Sequence, residues 1–320
     1  MVMPTAAHPY AQRREMPGEV PAGILVATDG REQSDAALRA ARALLSGGPL
    51  GVLTVLPPHA TYDASEFGES AELLDAVARQ ALVESQLRRV LGDSVETWIE
   101  VRSGYPPTVL AQSAAAHGAL LVAGIGRPRV IDRLHGDEST LRLIREARSP
   151  VLAVAPFAAV PPQRMVLAMD FSEASLLAAR LALDLAAPRA EVTVVHVAPR
   201  GGEIARGSGA VRYRSDPERA LDNYVRSLPH SFDVRLKSVL ACGDVASELL
   251  EIATREAVDL IAIGAHGHGP PARVTIGAVA TRVVRCATCS VIVAPRRPAC
   301  DAQHAESARV RDASAMTQKD

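Results

Sequence analysis

The chain has 320 residues, of which 48% are hydrophobic and 3% aromatic, and its formal net charge is −1. This length allows two domains of ordinary size, each with a core of its own. The balanced charge excludes the broad basic surface that nucleic-acid binding requires, and no stretch approaches the roughly 18 apolar residues of a membrane-spanning helix.

Residues 1–21 are polar and contain prolines, which predicts a flexible N-terminal tail without the apolar core of a secretory signal. Two copies of one pattern follow, because residues 24–45 and 165–186 align without a gap. Each copy has an apolar run, an aspartate and an amphipathic helix. The repeat is as long as a domain, so we expect two tandem copies of one domain. The aligned copies share Ala27/Ala168, Asp29/Asp170, Glu32/Glu173, Ser34/Ser175, Ala37/Ala178, Arg39/Arg180, Ala41/Ala182 and Leu44/Leu185.

Short apolar runs predict strands, and longer periodic stretches predict helices. Copy one is predicted to contain strand 24–28, helix 34–45, strand 50–56, helix 70–91, strand 95–102, helix 106–117, strand 120–124, helix 138–148 and strand 151–154. Copy two is predicted to contain strand 166–169, helix 175–185, strand 192–197, helix 217–228, strand 234–240, helix 245–257, strand 260–263, helix 278–287 and strand 291–293.

Alternating strands and helices predict an α/β fold with two tandem doubly wound domains, each a five-stranded parallel sheet flanked by helices. The predicted boundaries are 22–157 for the first domain, 158–164 for the linker, 165–295 for the second domain and 296–320 for a disordered C-terminal tail. The last strand of each copy ends its sheet and is apolar. We therefore expect the two last strands to pair and form an internal pseudo-dimer.

Asp29 and Asp170 each follow the first strand of their copy. Ligands of open parallel sheets bind beyond the carboxyl ends of the strands, where the strand order reverses. If the first and fourth strands are neighbours there, each aspartate faces the loop after the fourth strand, which begins at Gly124 or Gly264. Capping of the following helix is the alternative role for these aspartates.

The glycines of copy two predict a phosphate site. Gly264 and Gly267 are followed, after nine residues, by Gly277 and Ala278 at the start of a helix. Glycines let a backbone approach a ligand closely, and a helix N-terminus attracts anions. His266 and His268 lie in this loop and could contact phosphates, but two histidines alone do not make a metal site.

These residues resemble the tandem form of the universal stress protein family over about 22–157 and 163–295. The ATP-binding members carry Gly-x-x-Gly, nine residues and Gly-Ser/Thr, which here fall on Gly264, Gly267 and Gly277. The resemblance implies that Asp170 lies near the ribose and that backbone at Val197 contacts adenine. It implies phosphate contacts at Ala278 and Val279 and assigns Asp29 and Val55 as the weaker counterparts in copy one.

Two departures from the family pattern affect the site. Ala278 stands where ATP binders have serine or threonine, so a phosphate hydroxyl donor is missing. In copy one, Gly124 is retained, but Arg127 replaces the second glycine and the third falls near acidic residues 137–138. We therefore expect ATP, with or without Mg²⁺ or Mn²⁺ on its phosphates, in the second domain only.

Other side chains are given structural interpretations. His196 lies in an apolar strand and is expected to be a hydrogen-bonded core histidine. Cys286 and Cys289 have redox-motif spacing but lie at the end of the last helix, so we interpret them as packing residues. All four cysteines, which include Cys242 and Cys300, lie in the second half. A disulfide framework would serve both copies, so a reducing cytoplasm is expected.

Three functions remain open. The first is a cytoplasmic stress protein that binds ATP and hydrolyses it slowly at most, with no nucleic-acid or membrane partner. The second is a stress adaptor that binds no nucleotide and acts through protein contacts. The third is an adenylating enzyme, but the Ser-Gly-Gly loop of such enzymes is missing after both aspartates, where residues 30–32 and 171–173 read GRE and FSE.

Overall fold

The computed structural model describes residues 23–45, 47–58, 68–125, 136–198, 217–228, 233–267 and 276–295. Both predicted tails, His268, Arg127 and Cys300 lie outside the described residues, as do the side chains of residues 137 and 138.

The described elements alternate between strand and helix, as the sequence predicts. The strands are β1 (Gly23–Ala27), β2 (Leu50–Leu56), β3 (Thr97–Ser103), β4 (Ala119–Gly124), β5 (Val151–Val154), β6 (Arg164–Ala168), β7 (Glu191–Ala198), β8 (Arg235–Cys242), β9 (Leu260–Gly264) and β10 (Ser290–Ala294). The helices are α1 (Asp35–Leu44), α2 (Gly68–Leu91), α3 (Pro106–Ala116), α4 (Gly136–Glu146), α5 (Glu173–Asp184), α6 (Pro217–Ser227), α7 (Val245–Arg255) and α8 (Ala278–Cys286).

Small boundary shifts have local causes. The first helix is preceded by a 3₁₀ turn, Glu32–Ser34, so α1 itself begins at Asp35. Helix α5 begins at Glu173, two residues before its predicted start, because the Ser172 side chain accepts a hydrogen bond from the Ser175 N–H and caps the helix.

The ten strands form one sheet in the order β3-β2-β1-β4-β5-β10-β9-β6-β7-β8. Every neighbouring pair is parallel except β5 and β10, which run antiparallel with Leu152 opposite Ile292. The two halves therefore share one sheet through their last strands. Across this seam the Ala155 N–H donates to Ser290 Oγ at 3.1 Å.

The core lies in two layers, one on each face of the sheet. One layer packs α1, α2, α5 and α6 against strand residues such as Val26 and Val52. The other packs α3, α4, α7 and α8 against Leu25, Leu53 and their neighbours. Adjacent strand residues thus enter opposite layers, and strands buried on both faces read as continuous apolar runs. Within the described part of the chain, no helix combines the length and the hydropathy that a membrane crossing needs.

Candidate functional site

The strand order reverses once in each half. Strand β1 lies between β2 and β4, and β6 lies between β7 and β9. The loops after β1 and β4 therefore diverge, as do those after β6 and β9, and they leave a crevice at the carboxyl edge. Asp29 and Asp170 each lie in the crevice of their own half, directly after β1 and β6, as the sequence predicts.

The loop after β6 holds one oxygen of Asp170. Its Oδ1 accepts hydrogen bonds from the Ser172 N–H at 3.0 Å and from Ser172 Oγ at 2.6 Å. The same Ser172 Oγ accepts from the Ser175 N–H at 3.2 Å. Because Ser172 both caps α5 and binds the carboxylate, the start of the helix fixes the direction of the Asp170 side chain.

The other oxygen of Asp170 faces Gly267. A Cβ built on Gly267 would lie 2.7 Å from Asp170 Oδ2. Among the described residues, nothing donates a hydrogen bond to Oδ2. A side chain at position 267 would displace the carboxylate, whereas glycine leaves Oδ2 able to accept from a ligand hydroxyl.

Gly264 makes a close packing contact that its motif alone does not predict. A Cβ on Gly264 would lie 2.9 Å from both Ala174 Cβ and the Ser175 nitrogen. The space next to Gly264 is therefore filled by the start of α5. Gly124 makes the same close approach in the first domain, where its Cβ would lie 2.9 Å from the Gln33 oxygen. Close packing against the start of the following helix thus requires a glycine at both positions.

Among the described residues, no side chain caps the start of helix α8. Its N-cap is Gly277, which supplies no side-chain hydrogen bond, and its first turn has no acidic residue. The Gly277 N–H donates to the Ala265 oxygen at 2.7 Å, which fixes where the helix starts. Ala278 is exposed and Val279 half-buried. The first N–H groups of a helix lack partners within it, so this end attracts an anion.

His266 and Val197 are the remaining residues of the second domain that the sequence assigns to nucleotide binding. His266 is half-buried, and its backbone oxygen lies 3.4 Å from Ser172 Oγ. The last hydrogen bond between β6 and β7 joins the Met169 N–H to the Val195 oxygen. Backbone groups of alternate strand residues point the same way. Val197 therefore directs its N–H and C=O toward the crevice, past the end of β6.

The aspartate of the first domain is surrounded differently. Asp29 Oδ1 accepts from the Arg31 N–H at 3.0 Å, and its Oδ2 lies 3.7 Å from Arg31 Nε. A Cβ on Gly30, whose φ is +83°, would lie 2.6 Å from Leu82 Cγ. The Thr28 N–H donates a hydrogen bond to the Leu53 backbone oxygen. Val55 lies two residues further along β2, so its backbone N–H and C=O point the same way as those of Leu53, as Val197 does in the second domain. The structure thus brings Asp29 and Val55 to one edge, and α2 packs against the neighbouring Gly30.

Gln86 of α2 connects this loop to the first core. It is 2% exposed. Its Oε1 accepts from Thr28 Oγ1 at 2.6 Å, and its Nε2 donates to the Arg31 oxygen at 2.6 Å and to Asp35 Oδ1 at 2.7 Å. Asp35 also forms a two-point ion pair with Arg89, at 2.6 and 2.9 Å. Burial alone would raise the pKa of Asp35, but the bonds from Arg89 and Gln86 outweigh it and lower that pKa.

The second domain has an aromatic group at the same place. Phe171 adopts a φ of +62°, and its ring lies 5.6 Å from that of His196 and 6.3 Å from that of Tyr224. His196 Nδ1 lies 2.7 Å from the Met169 oxygen, so it is the hydrogen-bonded core histidine that the sequence predicts. Burial raises the pKa of the Tyr224 hydroxyl to about 12.

The two cysteines with redox-motif spacing differ: Cys286 is exposed, so it is not the packing residue that the sequence predicts, whereas Cys289 is buried. Burial raises the pKa of the Cys289 thiol to about 11, which favours packing over redox chemistry. Among the described residues, no three histidine, cysteine or acidic side chains cluster as metal ligands would. Sequence reasoning missed Ser172 and Gln86. The Ser172–Ser175 spacing could have identified a cap, whereas Gln86 contacts partners more than 50 residues away.

The comparisons with known proteins agree with this fold. The universal stress protein family model matches residues 23–155 and 162–295. Universal stress protein Rv1996 of Mycobacterium tuberculosis is 28% identical over 309 residues, which cover 87% of this chain and 96% of that protein. Universal stress protein MJ0531 of Methanocaldococcus jannaschii is 30% identical over 138 residues, 41% of this chain and 81% of that protein.

A solved structure has the same architecture over most of the chain. A universal stress protein from Archaeoglobus fulgidus superposes with a TM-score of 0.62 at 15% identity, over 86% of this chain and 98% of that one. Since the family model matches both halves and the sheet has the same order in each, this chain belongs to the universal stress protein family.

Proposed function

We propose that the second domain binds an adenine nucleotide, ATP, and that this binding serves a stress response in the cytoplasm. The observation that carries the proposal is the pairing of Asp170 with Gly267. One carboxylate oxygen is fixed by Ser172, and the other faces a position where a Cβ would lie 2.7 Å away. Such an acceptor at a strand-order reversal suits the hydroxyls of a ribose.

The neighbouring groups suit the rest of the nucleotide. The backbone of Val197 offers a donor and an acceptor to the edge of adenine. The first turn of α8, at Gly277, Ala278 and Val279, offers N–H groups to the phosphates. Mg²⁺ or Mn²⁺ would be held through the phosphates and would offset their charge.

We propose binding rather than catalysis, with slow ATP hydrolysis at most. Phosphoryl transfer to water needs a group that positions the attacking water. The first turn of α8 has no acidic residue to do so. The Asp170 carboxylate is tied to Ser172 on the ribose side of the proposed site.

ATP titration into the full chain by calorimetry tests the proposal. We expect one site. Gly267→Val should weaken binding more than 100-fold, because its side chain must enter the space beside Asp170 Oδ2. Asp170→Asn should weaken binding at least tenfold through the loss of one charge-assisted hydrogen bond, at about 1.5–3 kcal/mol. Asp29→Asn is the matched control and should leave the ATP affinity unchanged. Two equivalent sites, or unchanged affinity in Gly267→Val, would contradict the proposal.

The adaptor function is the second candidate, and Ala278 favours it. Alanine provides no hydroxyl at the start of α8, so one phosphate contact of the ATP-binding relatives is missing. Under this function no nucleotide would accompany the purified protein. Native mass spectrometry of freshly purified chain therefore separates the two candidates, since a bound nucleotide would add its own mass.

A further inference from the structure

The hydrogen-bond ladder between β6 and β7 stops at the edge of the second-domain crevice. Its last bond joins the Met169 N–H to the Val195 oxygen at 2.8 Å. If the parallel ladder continued, the next bond would join the Val197 N–H to the Met169 oxygen. Within the described ranges, Val197 donates no such bond. Strand β7 therefore reaches the crevice with a backbone donor that the sheet does not use.

The side chain of His196 binds the Met169 oxygen instead. His196 Nδ1 lies 2.7 Å from that oxygen. A carbonyl oxygen only accepts hydrogen bonds, so Nδ1 carries a proton and donates it. His196 is 4% exposed, and the ring of Phe171 lies 5.6 Å from its ring. Burial and the contact with Phe171 hold the imidazole in the orientation from which it donates to Met169.

The first domain holds the equivalent loop in another way. Thr54 stands at the position of His196, because each follows the residue whose oxygen accepts the last ladder bond. Thr54 Oγ1 is buried and has no hydrogen-bond partner in the part of the chain that the structure describes. Gln86 of α2 holds this loop instead, through the Thr28 hydroxyl and the Arg31 oxygen. The bond from a strand side chain to the loop is thus particular to the second of these two sites.

We propose that His196 is a positioning residue for base recognition in the second domain, an inference that rests on the proposed binding of ATP there. By donating to the Met169 oxygen, His196 keeps that oxygen from the Val197 N–H, which stays available to a ligand. The N–H and C=O of one strand residue point the same way. Those of Val197 therefore match the acceptor N1 and the neighbouring donor N6 on the Watson–Crick edge of adenine. His196 acts through the backbone of Val197 and not by contact with the nucleotide.

Amide hydrogen exchange on the full chain without nucleotide tests the first step. The Val197 amide should exchange about tenfold faster, or more, than that of Val195, which lies inside the ladder. In His196→Leu the Met169 oxygen loses its donor, so the Val197 N–H should bond to it and become protected. His196→Asn is the matched control, because its side-chain amide donates from nearly the position of Nδ1 and should leave the Val197 amide unprotected. A protected Val197 amide in the unmodified chain, or no change in His196→Leu, would overturn the proposal.

Calorimetry with ATP and with 1-deaza-ATP, which lacks the N1 acceptor, tests the second step. One neutral hydrogen bond changes an affinity about fivefold, so the unmodified chain should bind 1-deaza-ATP about fivefold more weakly than ATP. His196→Leu should weaken ATP binding by the same factor and leave the affinity for 1-deaza-ATP unchanged. His196→Asn should bind both nucleotides as the unmodified chain does. A residue with a merely structural role would weaken the binding of both nucleotides alike, and that result would overturn the proposal.

The two experiments separate this inference from the proposed function. If the unmodified chain binds no ATP, the proposed function fails, whereas the exchange rates still show whether His196 keeps the Val197 N–H available. If it binds ATP and 1-deaza-ATP equally well, only the inference fails. Should His196→Leu not fold, His196→Thr takes its place, because the first domain carries Thr54 at the equivalent position without a bond from its hydroxyl to the loop.

Discussion

The two domains share one topology but stabilise the loop after their first strand by different means. In the first domain, Gln86 and Asp35 surround that loop with buried hydrogen bonds and an ion pair. In the second, the rings of Phe171, His196 and Tyr224 pack there. The comparison teaches that hydrogen bonds from α2 hold the loop of the first domain in place. The second loop is capped from within by Ser172, which leaves Asp170 Oδ2 facing outward.

Removing the polar network should give the largest effect. Gln86→Ala removes four hydrogen bonds, to Thr28, the Arg31 backbone oxygen, Ser34 and Asp35. Because each such bond contributes about 0.5–1.5 kcal/mol, we expect the unfolding free energy of the first domain to fall by about 3 kcal/mol. Urea unfolding followed by the fluorescence of Trp98, the only tryptophan of the chain, reports on this domain.

The control for Gln86→Ala is Gln80→Ala on the same helix. Gln80 is exposed and bonds only to Glu84 among the described residues. Its loss should change stability by less than about 0.5 kcal/mol. Equal effects of the two substitutions would mean that the buried network does not stabilise the first loop.

Exchanging Gly30 and Phe171, which follow Asp29 and Asp170, should give the next largest effect on stability. Gly30→Phe must place a ring where a Cβ already lies 2.6 Å from Leu82, at a φ of +83°, so it should destabilise the first domain by about 2–3 kcal/mol. Phe171→Gly loses the ring contacts but relieves a left-handed conformation that costs about 1–2 kcal/mol. Phe171→Gly should therefore lower the stability less than Gly30→Phe does. The tryptophan signal measures the first variant, and amide hydrogen exchange in α5 and β7 measures the second.

Acid should weaken the first domain through Asp35. Its pKa is lower in the folded state than its ordinary value of 3.8. The stabilisation is therefore fully present above pH 3.8 and is lost as the pH falls through the folded pKa. Asp35→Asn should cost about 1–2 kcal/mol at pH 7. The difference from the unmodified chain should shrink below pH 4. Unfolding in urea at pH 7, 4 and 3 measures this, and a constant difference would contradict it.

The smallest expected effect is a gain in ATP affinity from a substitution at the start of α8. Ala278→Ser adds a hydroxyl where N–H groups already face the proposed phosphates. One charge-assisted hydrogen bond, less the cost of displacing water, should tighten ATP binding about fivefold, or about 1 kcal/mol. Calorimetry measures the change. Unchanged or weaker binding would place the phosphates elsewhere and favour the adaptor function.

Most of the architecture followed from the sequence because it rests on local patterns. The apolar runs and the repeated Asp29 and Asp170 predicted strand, loop and helix in both halves. The glycine spacing predicted that Gly267 and Gly277 would face one crevice. The same spacing could not show that Gly264 contacts Ala174 and α5, since a motif does not tell what fills the space beside a glycine.

Contacts over long sequence separations were not predictable. Gln86 meets Thr28 across 58 residues and Asp35 across 51. Nothing in the periodicity of α2 distinguishes Gln86 from an ordinary polar residue. Arg31 and Arg79 likewise meet at Asp29 only when α2 packs over the loop after β1.

The antiparallel pairing of β5 and β10 has a consequence for where ligands and partners can bind. Within each half the strands are parallel, so reversal at the seam sends the carboxyl ends of the two halves to opposite edges of the sheet. The loops that carry Asp29 and Asp170 therefore lie on opposite sides of the molecule. One molecule cannot contact both loops without wrapping around the sheet.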